Sequence, residues 1–341
     1  MTMKLLTKIA TVCLLTATAA LASCGRTAGH TASAGIVKII GDESVENIIR
    51  QEVQVFELKY PASILKTTYT DAATAMDSIM SLKIRLAIVP HKLTPEQEKY
   101  LHSKHHNAFC KPIAVDAVAI IANTENPIQM LSLAQLSDIL TGKITDWNEL
   151  SPNESGKIAV VFDHQGSSTV QYMKDSIMGG KPFGKNVFAQ KTNKDVFDAV
   201  KNRKGAIGII GVSWLSRDLS GFAVVNNYSK SEIEAFDKSS EINHEISSRN
   251  LEAEAYQKEI KVIPIRKNDS PYPFKPFQLD IYTGDYPLFR TVYAICTAPN
   301  GSLEHGVFTF LTSILGQKVI LNTGILPANM PPQRSVVINQ E

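Results

Sequence analysis

Short apolar runs alternate along the chain with longer stretches in which apolar residues recur every three or four positions. Ile36–Ile40 is a β-branched run ended by Gly41 and predicts a strand. Val45–Tyr60 follows with apolar side chains at Val45, Ile48, Ile49, Val53, Val55, Phe56 and Leu58, a roughly helical period. Ser63–Tyr69 predicts a second strand, Asp71–Leu82 a helix and Leu86–Val89 a third strand. Thr94, Pro95, Glu96 and Glu98 have the order of an N-cap, a first-turn proline and early acids, so another helix begins there. Strand, helix, strand, helix, strand is the rhythm of a parallel α/β unit.

The rhythm then repeats. Ala114–Ala122 is a longer apolar strand and Leu133–Leu140 a short helix. Ile158–Phe162 predicts a strand that runs through Asp163, His164, Gln165, Gly166, Ser167, Ser168 and Thr169 into a helix from about Val170 to Ile177. Asp195–Lys201 is helical in pattern, and Gly205–Gly211 is a tight apolar strand with turn glycines. Residues 227–260 are polar and charged, as in an elaborated loop or exposed helices. Thr291–Cys296 predicts a strand, Val307–Leu315 a helix, and Pro327–Pro332 a turn-rich end. Two α/β units and a closing segment predict two lobes with a cleft between them. In open α/β sheets, ligands sit beyond the carboxyl ends of the strands, where helix N-termini point.

Composition narrows this picture. With 44% hydrophobic and 20% charged residues in 341, the chain is neither disordered throughout nor fibrous. A net charge of +2 supplies no basic field for nucleic acid. Four cysteines exclude a disulfide scaffold. The first 23 residues are different in kind. Lys4 and Lys8 precede an apolar run over Ile9–Ala20, and Leu21-Ala22-Ser23 leads into Cys24. This is a signal peptide with a bacterial lipobox, so Cys24 is expected to be the lipid attachment point. Removing Lys4 and Lys8 leaves as many basic side chains as acidic ones. Residues 24–35 read as a flexible tether, which places the protein in the cell envelope, anchored to a membrane. Cys110 and Cys296 each sit in an apolar run and read as small buried hydrophobes; an export compartment leaves a bridge between them open.

Three loops join a strand end to a helix start and carry hydroxyls. They are the loop ending in Ser44, the loop of Thr70, Asp71 and Thr74, and Gly166-Ser167-Ser168-Thr169. A helix N-terminus offers unpaired N–H groups and about half a positive charge, and hydroxyls add adaptable donors. Together they suit a small oxyanion. Taken singly, each loop is equally an ordinary N-cap. His102, His105 and His106 share helical spacing without an accompanying acid or cysteine, so they predict a solvated face and no metal. The glycines of 205–211 are not a dinucleotide fingerprint, and Ser167 and Ser168 lack the G-x-S-x-G elbow of a hydrolase. No cofactor and no catalytic residue is expected.

Several runs, in order, carry a family resemblance. They are Pro112–Ile121, Leu133–Leu150 with its Gly142-Lys143-Ile144 and Trp147, Gly166–Thr169, Gly205–Gly208, Tyr286–Tyr293 and Gly316–Ala328. The chain resembles the PstS-like phosphate-binding proteins of bacterial phosphate ABC importers, within the type II periplasmic binding protein superfamily, over nearly all of 36–337. The resemblance implies an α/β fold of two lobes, each a mainly parallel sheet flanked by helices and joined by crossing strands. It places lobe I at 36–113 and 288–341 and lobe II at 114–287. It implies a phosphate in the cleft and a permease as partner; a tethered monomer is the simplest expectation, and the sequence itself is silent on oligomeric state. Residue by residue, it points to Ser44, to Thr70 and Asp71, and to Ser167, Ser168 and Thr169 as phosphate ligands.

The chain departs from that pattern at the charges. Asp163 stands where the family has an arginine, Pro90 where it has an aspartate, and Ser168 where it has a glycine. The expectation drawn from this is an exchange across the cleft, with Asp163 accepting the proton of phosphate and His91 or Lys92 supplying the cation. A different oxyanion or small organic ligand, a sensor, an envelope hydrolase using Ser167 or Ser168, and a structural lipoprotein are the alternatives.

Overall fold

The computed structural model describes residues 31–152, 156–219 and 259–331. The signal peptide, Cys24 and most of the charged 227–260 segment lie outside the described residues. The first unit runs β1 (Gly35–Asp42), α1 (Glu46–Lys59), β2 (Ser63–Thr70), α2 (Ala72–Met80), β3 (Leu86–Val89) and α3 (Pro95–Ser103). β4 (Phe109–Asn123) follows, then β5 (Leu131–Ser132) and α4 (Leu133–Leu140). The second unit continues with β6 (Ala159–Phe162), α5 (Ser168–Tyr172), β7 (Val187–Ala189), α6 (Asn193–Lys201), β8 (Ala206–Gly211) and α7 (Val212–Leu219). The chain closes with β9 (Ile260–Val262), β10 (Ile265–Arg266), β11 (Pro273–Phe274), α8 (Gln278–Tyr282), β12 (Phe289–Cys296), α9 (Leu303–Leu311), α10 (Ile314–Asn322) and β13 (Leu326–Pro327).

Among the described residues, ten strands form one curled mixed sheet in the order β2-β1-β3-β12-β4-β8-β6-β7, with β9 and β13 also pairing to β4, and β11, β10 and β5 form a second, three-stranded sheet. Its two flanks are parallel, β1 with β2 and β3 on one side and β6 with β7 and β8 on the other. Its middle is antiparallel, because β4 and β12 cross from one flank to the other. Ile113 and Ala114 of β4 and Val292 of β12 belong to the core under the first flank. Ala117–Ala122 of β4, with Tyr286 and Leu288 just before β12, belong to the core under the second. The two cores therefore meet along these two strands.

The polar pattern explains most element ends. Asp71 caps α2 by accepting from the Thr74 N–H at 2.9 Å, and Thr94 and Gln97 form a reciprocal capping box at α3. β4 begins at Phe109, five residues before the predicted Ala114. Those extra residues pair with β12 on the rim, where an apolar run is not required. The register slips between Val292 and Tyr293, opposite Pro112, which has no N–H to give the ladder. The helix predicted over Val307–Leu315 is two helices. Ser313 accepts from the Gly316 N–H at 3.2 Å and starts α10. Gly316 lies so close to the Phe310 carbonyl that a Cβ there would clash. The helix predicted from Val170 begins at Ser168 and ends in a π-turn over Met173–Ile177. Part of the expected tether is also ordered. Thr31 and Ala34 exchange backbone hydrogen bonds of 3.2 and 3.3 Å, and the Ala32 carbonyl lies against Gly306 of α9.

The cysteines are free. Cys110 stands opposite Ile295 and Cys296 opposite Phe109, so the pleat sends their side chains to opposite faces of the sheet. Neighbouring strands thus keep the two thiols apart, and burial pushes the Cys296 thiol up to about 11.

Gly208 shows how tightly the second core is filled. A Cβ there would lie 2.8 Å from both Ile121 Cγ1 and Val196 Cγ1 and 2.9 Å from Val200 Cγ2. Three branched side chains would have to move together. Gly208→Ala is expected to lower the unfolding free energy by roughly 1–3 kcal/mol, read from urea unfolding with an unchanged m-value.

Candidate functional site

The ends of β1 and β6 face each other across the crossing strands. After β1 the chain makes a single 3-10 turn over Glu43–Val45, capped by Asp42. Asp42 Oδ1 accepts from the Ser44 N–H at 2.9 Å and from the Ser44 hydroxyl. After β6 the chain turns at Gly166, and Ser167 caps α5 by accepting from the Val170 N–H at 3.2 Å. Ser168 is the first residue of α5 and donates to the same Asp42 Oδ1 at 2.9 Å. The hydroxyls of Ser44 and Ser168 are 3.0 Å apart although 124 residues separate them.

A guanidinium lies beneath both hydroxyls. Arg290 Nη2 donates to Ser44 Oγ at 2.8 Å and Nη1 to Ser168 Oγ at 2.9 Å. Arg290 is on β12, directly opposite Asp116 on β4. Its Nε and Nη2 reach Asp116 Oδ2 at 3.3 and 3.1 Å. Both side chains are buried, at 4% and 0% exposure, so the ion pair is withdrawn from water. Burial pushes the Asp116 carboxyl up to about 6, and the Arg290 charge and hydrogen bonds hold it from going further. Gly211 ends β8 at this point, and a Cβ on it would meet Asp116 Oδ2 at 3.2 Å and the Ser44 carbonyl at 3.3 Å. Glycine thus lets β8 come close to the pair without crowding it.

Carboxylates surround this cation. Asp163, just after β6, is 1% exposed, and the Ser167 hydroxyl and His164 backbone lie beside its oxygens without reaching good hydrogen-bond geometry. Burial raises its pKa, against the Ser167 hydroxyl, the His164 backbone and the charges of His164 and Arg290. Thr169 Oγ1 and Asp42 Oδ2 are buried without partners. At the rim His164 Nε2 meets the Glu43 carboxylate, while His164 Nδ1 accepts from the Gly166 N–H at 3.2 Å. Burial raises the Glu43 carboxyl, His164 opposes the rise, and Asp163, Asp42 and Asp71 reinforce it. Three further bonds join the flanks nearby. Ser213 Oγ and Trp214 Nε1 each donate to the Ser44 carbonyl at 3.2 Å, and Asn47 Nδ2 donates to the Ser213 carbonyl at 3.1 Å.

The structure thus brings together Ser44, Ser168 and, beside them, Asp163, Ser167 and Thr169. It does not bring Thr70, Asp71 or His91 into the same hydrogen-bonded cluster. Asp71 accepts from the Thr74 N–H at 2.9 Å and the Thr74 hydroxyl at 2.7 Å, with the Thr70 hydroxyl at 3.3 Å. Burial alone would raise its carboxyl, but those bonds outweigh it and lower the pKa. His91 is exposed, and its Nδ1 lies 3.4 Å from the Lys92 carbonyl. The cation at the hydroxyls is Arg290, which the loop-by-loop reading missed. Its signal was an arginine inside the apolar run Tyr286–Tyr293, matched by an aspartate inside Ala114–Ala122.

Among the described residues, no histidine is bonded to the Ser168 hydroxyl. Both ring nitrogens of His164 are engaged away from Ser168, whose neighbours are Asp42, Ser44 and Arg290. Among the described residues, no group of three His, Cys, Asp or Glu is placed to hold a metal ion.

A raised carboxyl makes the native state bind more protons than the unfolded chain between the two pKa values. Asp116, raised from 3.8 to about 6, therefore costs stability as pH climbs through that window, on the order of 3 kcal/mol in total. Asp116→Asn is expected to flatten the fall in unfolding free energy between about pH 4 and pH 6. Urea unfolding at pH 4, 5, 6 and 7 measures it, and an unchanged slope would assign the effect to other groups.

A family model for the PBP superfamily domain matches residues 26–316. The phosphate-binding protein PstS of Pseudomonas aeruginosa is 21% identical over 309 residues, covering 86% of this chain and 83% of that protein. Phosphate-binding protein PstS 2 of Streptococcus pneumoniae is 25% identical over 116 residues, which span only 38% of its length and 34% of this chain. Among solved structures, an ABC-type phosphate transport receptor from Vibrio cholerae superposes with a TM-score of 0.58 at 18% identity, covering 86% of this chain and all (100%) of that one. A substrate-binding protein assigned to a phosphate ABC transporter, with bound phosphate, from Clostridium perfringens gives 0.63 at 19% identity, again covering 86% of this chain and 100% of that one. At these identities the superpositions speak for the two-lobed α/β fold alone, whereas the family model spans most of the sequence: the chain belongs to the PBP superfamily.

Proposed function

We propose that this protein is an extracytoplasmic solute-binding protein, anchored through a lipid at Cys24, that captures inorganic phosphate between its lobes for an ABC permease. The observation that carries the reading is the Arg290 guanidinium joined to one hydroxyl from each flank, Ser44 at 2.8 Å and Ser168 at 2.9 Å. A planar fork with fixed donors suits a tetrahedral oxyanion. Ser44, Ser168 and Arg290 are its donors, and Ser167 and Thr169 line the same turn. The names of the Pseudomonas and Streptococcus relatives supply phosphate as the anion.

Asp163 sets selectivity in this reading. Phosphate carries a proton at neutral pH and sulfate does not. An ionised carboxylate only accepts, so a buried Asp163 welcomes a P–O–H group and repels a bare oxyanion. The Asp163 oxygens, buried without a well-formed hydrogen bond, support this role. Thr70 ends β2 directly beside Asp42, and Asp71 caps α2, so in this reading they flank the anion from the first unit, while His91 follows β3. The protein works as a monomer and performs no chemistry on the anion.

Calorimetric titration of phosphate-stripped protein tests the reading. Phosphate is expected to bind and sulfate to bind far more weakly. Arg290→Gln removes two charge-assisted bonds of about 1.5–3 kcal/mol each and should weaken phosphate binding by about 100-fold or more. Asp163→Asn should weaken phosphate and narrow its margin over sulfate; no change in either would sink the acceptor role. Binding that survives Arg290→Gln unaltered would place the anion elsewhere.

A further inference from the structure

The three donors nearest Arg290 are already committed within the chain. The Ser44 N–H, the Ser44 hydroxyl and the Ser168 hydroxyl all point to Asp42 Oδ1. A seryl hydroxyl has one proton to give. Each hydroxyl here accepts from Arg290 and donates to Asp42, so neither can donate to another acceptor without letting Asp42 go. Asp42 itself is fully buried, and its Oδ2 has no partner. It comes from the first flank, while Ser168 comes from the second, so the Asp42–Ser168 bond also ties the flanks together.

We propose that the Asp42 carboxylate is a built-in competitor for the anion site, holding the Ser44 and Ser168 hydroxyls that an oxyanion must win in order to bind. The competition is one for one, since the carboxylate and the oxyanion need the same protons from the same two side chains. It is also electrostatic. Asp42 faces Glu43 on its own turn, Asp116 on β4 and, through the two hydroxyls, Arg290 on β12. An anion entering beside Asp42 meets a like charge, and it must break the Asp42–Ser168 bond before it can take the Ser168 hydroxyl. Asp42 thereby raises the anion concentration at which the protein loads. This rests on the proposed reading of the site as an oxyanion site.

Asp42→Asn tests it, because asparagine caps the turn as well as aspartate while removing the charge and turning the partnerless Oδ2 into an amide donor. Asp42→Ser keeps a capping oxygen on a shorter side chain and serves as the second variant, with folding checked by thermal unfolding. Calorimetry with inorganic phosphate at neutral pH is expected to show at least tenfold tighter binding in either folded variant. Unchanged or weaker binding overturns the proposal; weaker binding would make Asp42 a ligand group that receives the proton of phosphate. If neither the parent nor the variants bind phosphate, the proposed ligand fails, and a readout without any anion decides the competitor. Trp214 reports on the contact between the flanks through its bond to the Ser44 carbonyl, whereas Trp147 is sealed in the second core at 1% exposure. In phosphate-free buffer, Asp42→Ser, whose side chain is too short to keep the Ser168 bond, is then expected to shift the tryptophan emission to the red as the flanks loosen, and an unshifted spectrum would overturn the tie.

Discussion

The buried pair of Arg290 and Asp116 fixes the rest of the site. It sits where the two crossing strands lie side by side, with one partner on β12 and the other directly opposite on β4. Two charges taken out of water at this depth rarely add net stability, and a well-packed apolar pair of the same volume would often do as well. What the pair supplies is position. Asp116 consumes the Nε side of the guanidinium and leaves Nη1 and Nη2 aimed at Ser168 and Ser44. The location of the cation is therefore set by strand register. The glycine at 211 and the packed cores on either side then leave it no room to move.

Around that single cation the chain places more negative charge than it balances. Asp42, Asp116 and Asp163 are all buried, and Glu43 stands at the rim beside His164. Such a cluster disfavours an anion that brings only charge. It favours one that also brings a proton to share, because an acceptor-only carboxylate becomes attractive as soon as an O–H faces it.

Most of the scaffold was legible from the chain's periodicity. Leu86–Val89 and Leu133–Leu140 begin and end where the apolar pattern does, and Thr94 starts its helix through the capping box that its neighbours announce. Local chemistry is sufficient in such cases. The break at Ser313 was less visible, because one apolar period runs across two helices and only the cap separates them. Strands of two or three residues, such as β5, β10 and β11, owe their existence to partners distant in sequence and leave no period of their own. The hydroxyls of Ser44 and Ser168 could be read for the same reason that caps can, since they sit next to a strand end and a helix start. Arg290 could not be read that way. Looking for the cation near the hydroxyls in sequence led to His91 and Lys92, while the fold brought it from a strand 122 residues beyond Ser168.

That placement separates two tasks that one loop would have had to combine. On the proposed reading, the hydroxyls of Ser44 and Ser168 come from opposite flanks and meet at the anion, while Arg290 sits on a strand that both flanks share. In that reading, an anion is drawn by the charge of Arg290 and held by the hydroxyls above it. Charge brings the ligand in, and the geometry of Ser44 and Ser168, contested by Asp42, decides whether it stays. A charge carried on either flank would belong to that flank alone; carried at the crossing, it leaves selection to be governed by hydrogen-bond protons, which is the property that distinguishes one oxyanion from another.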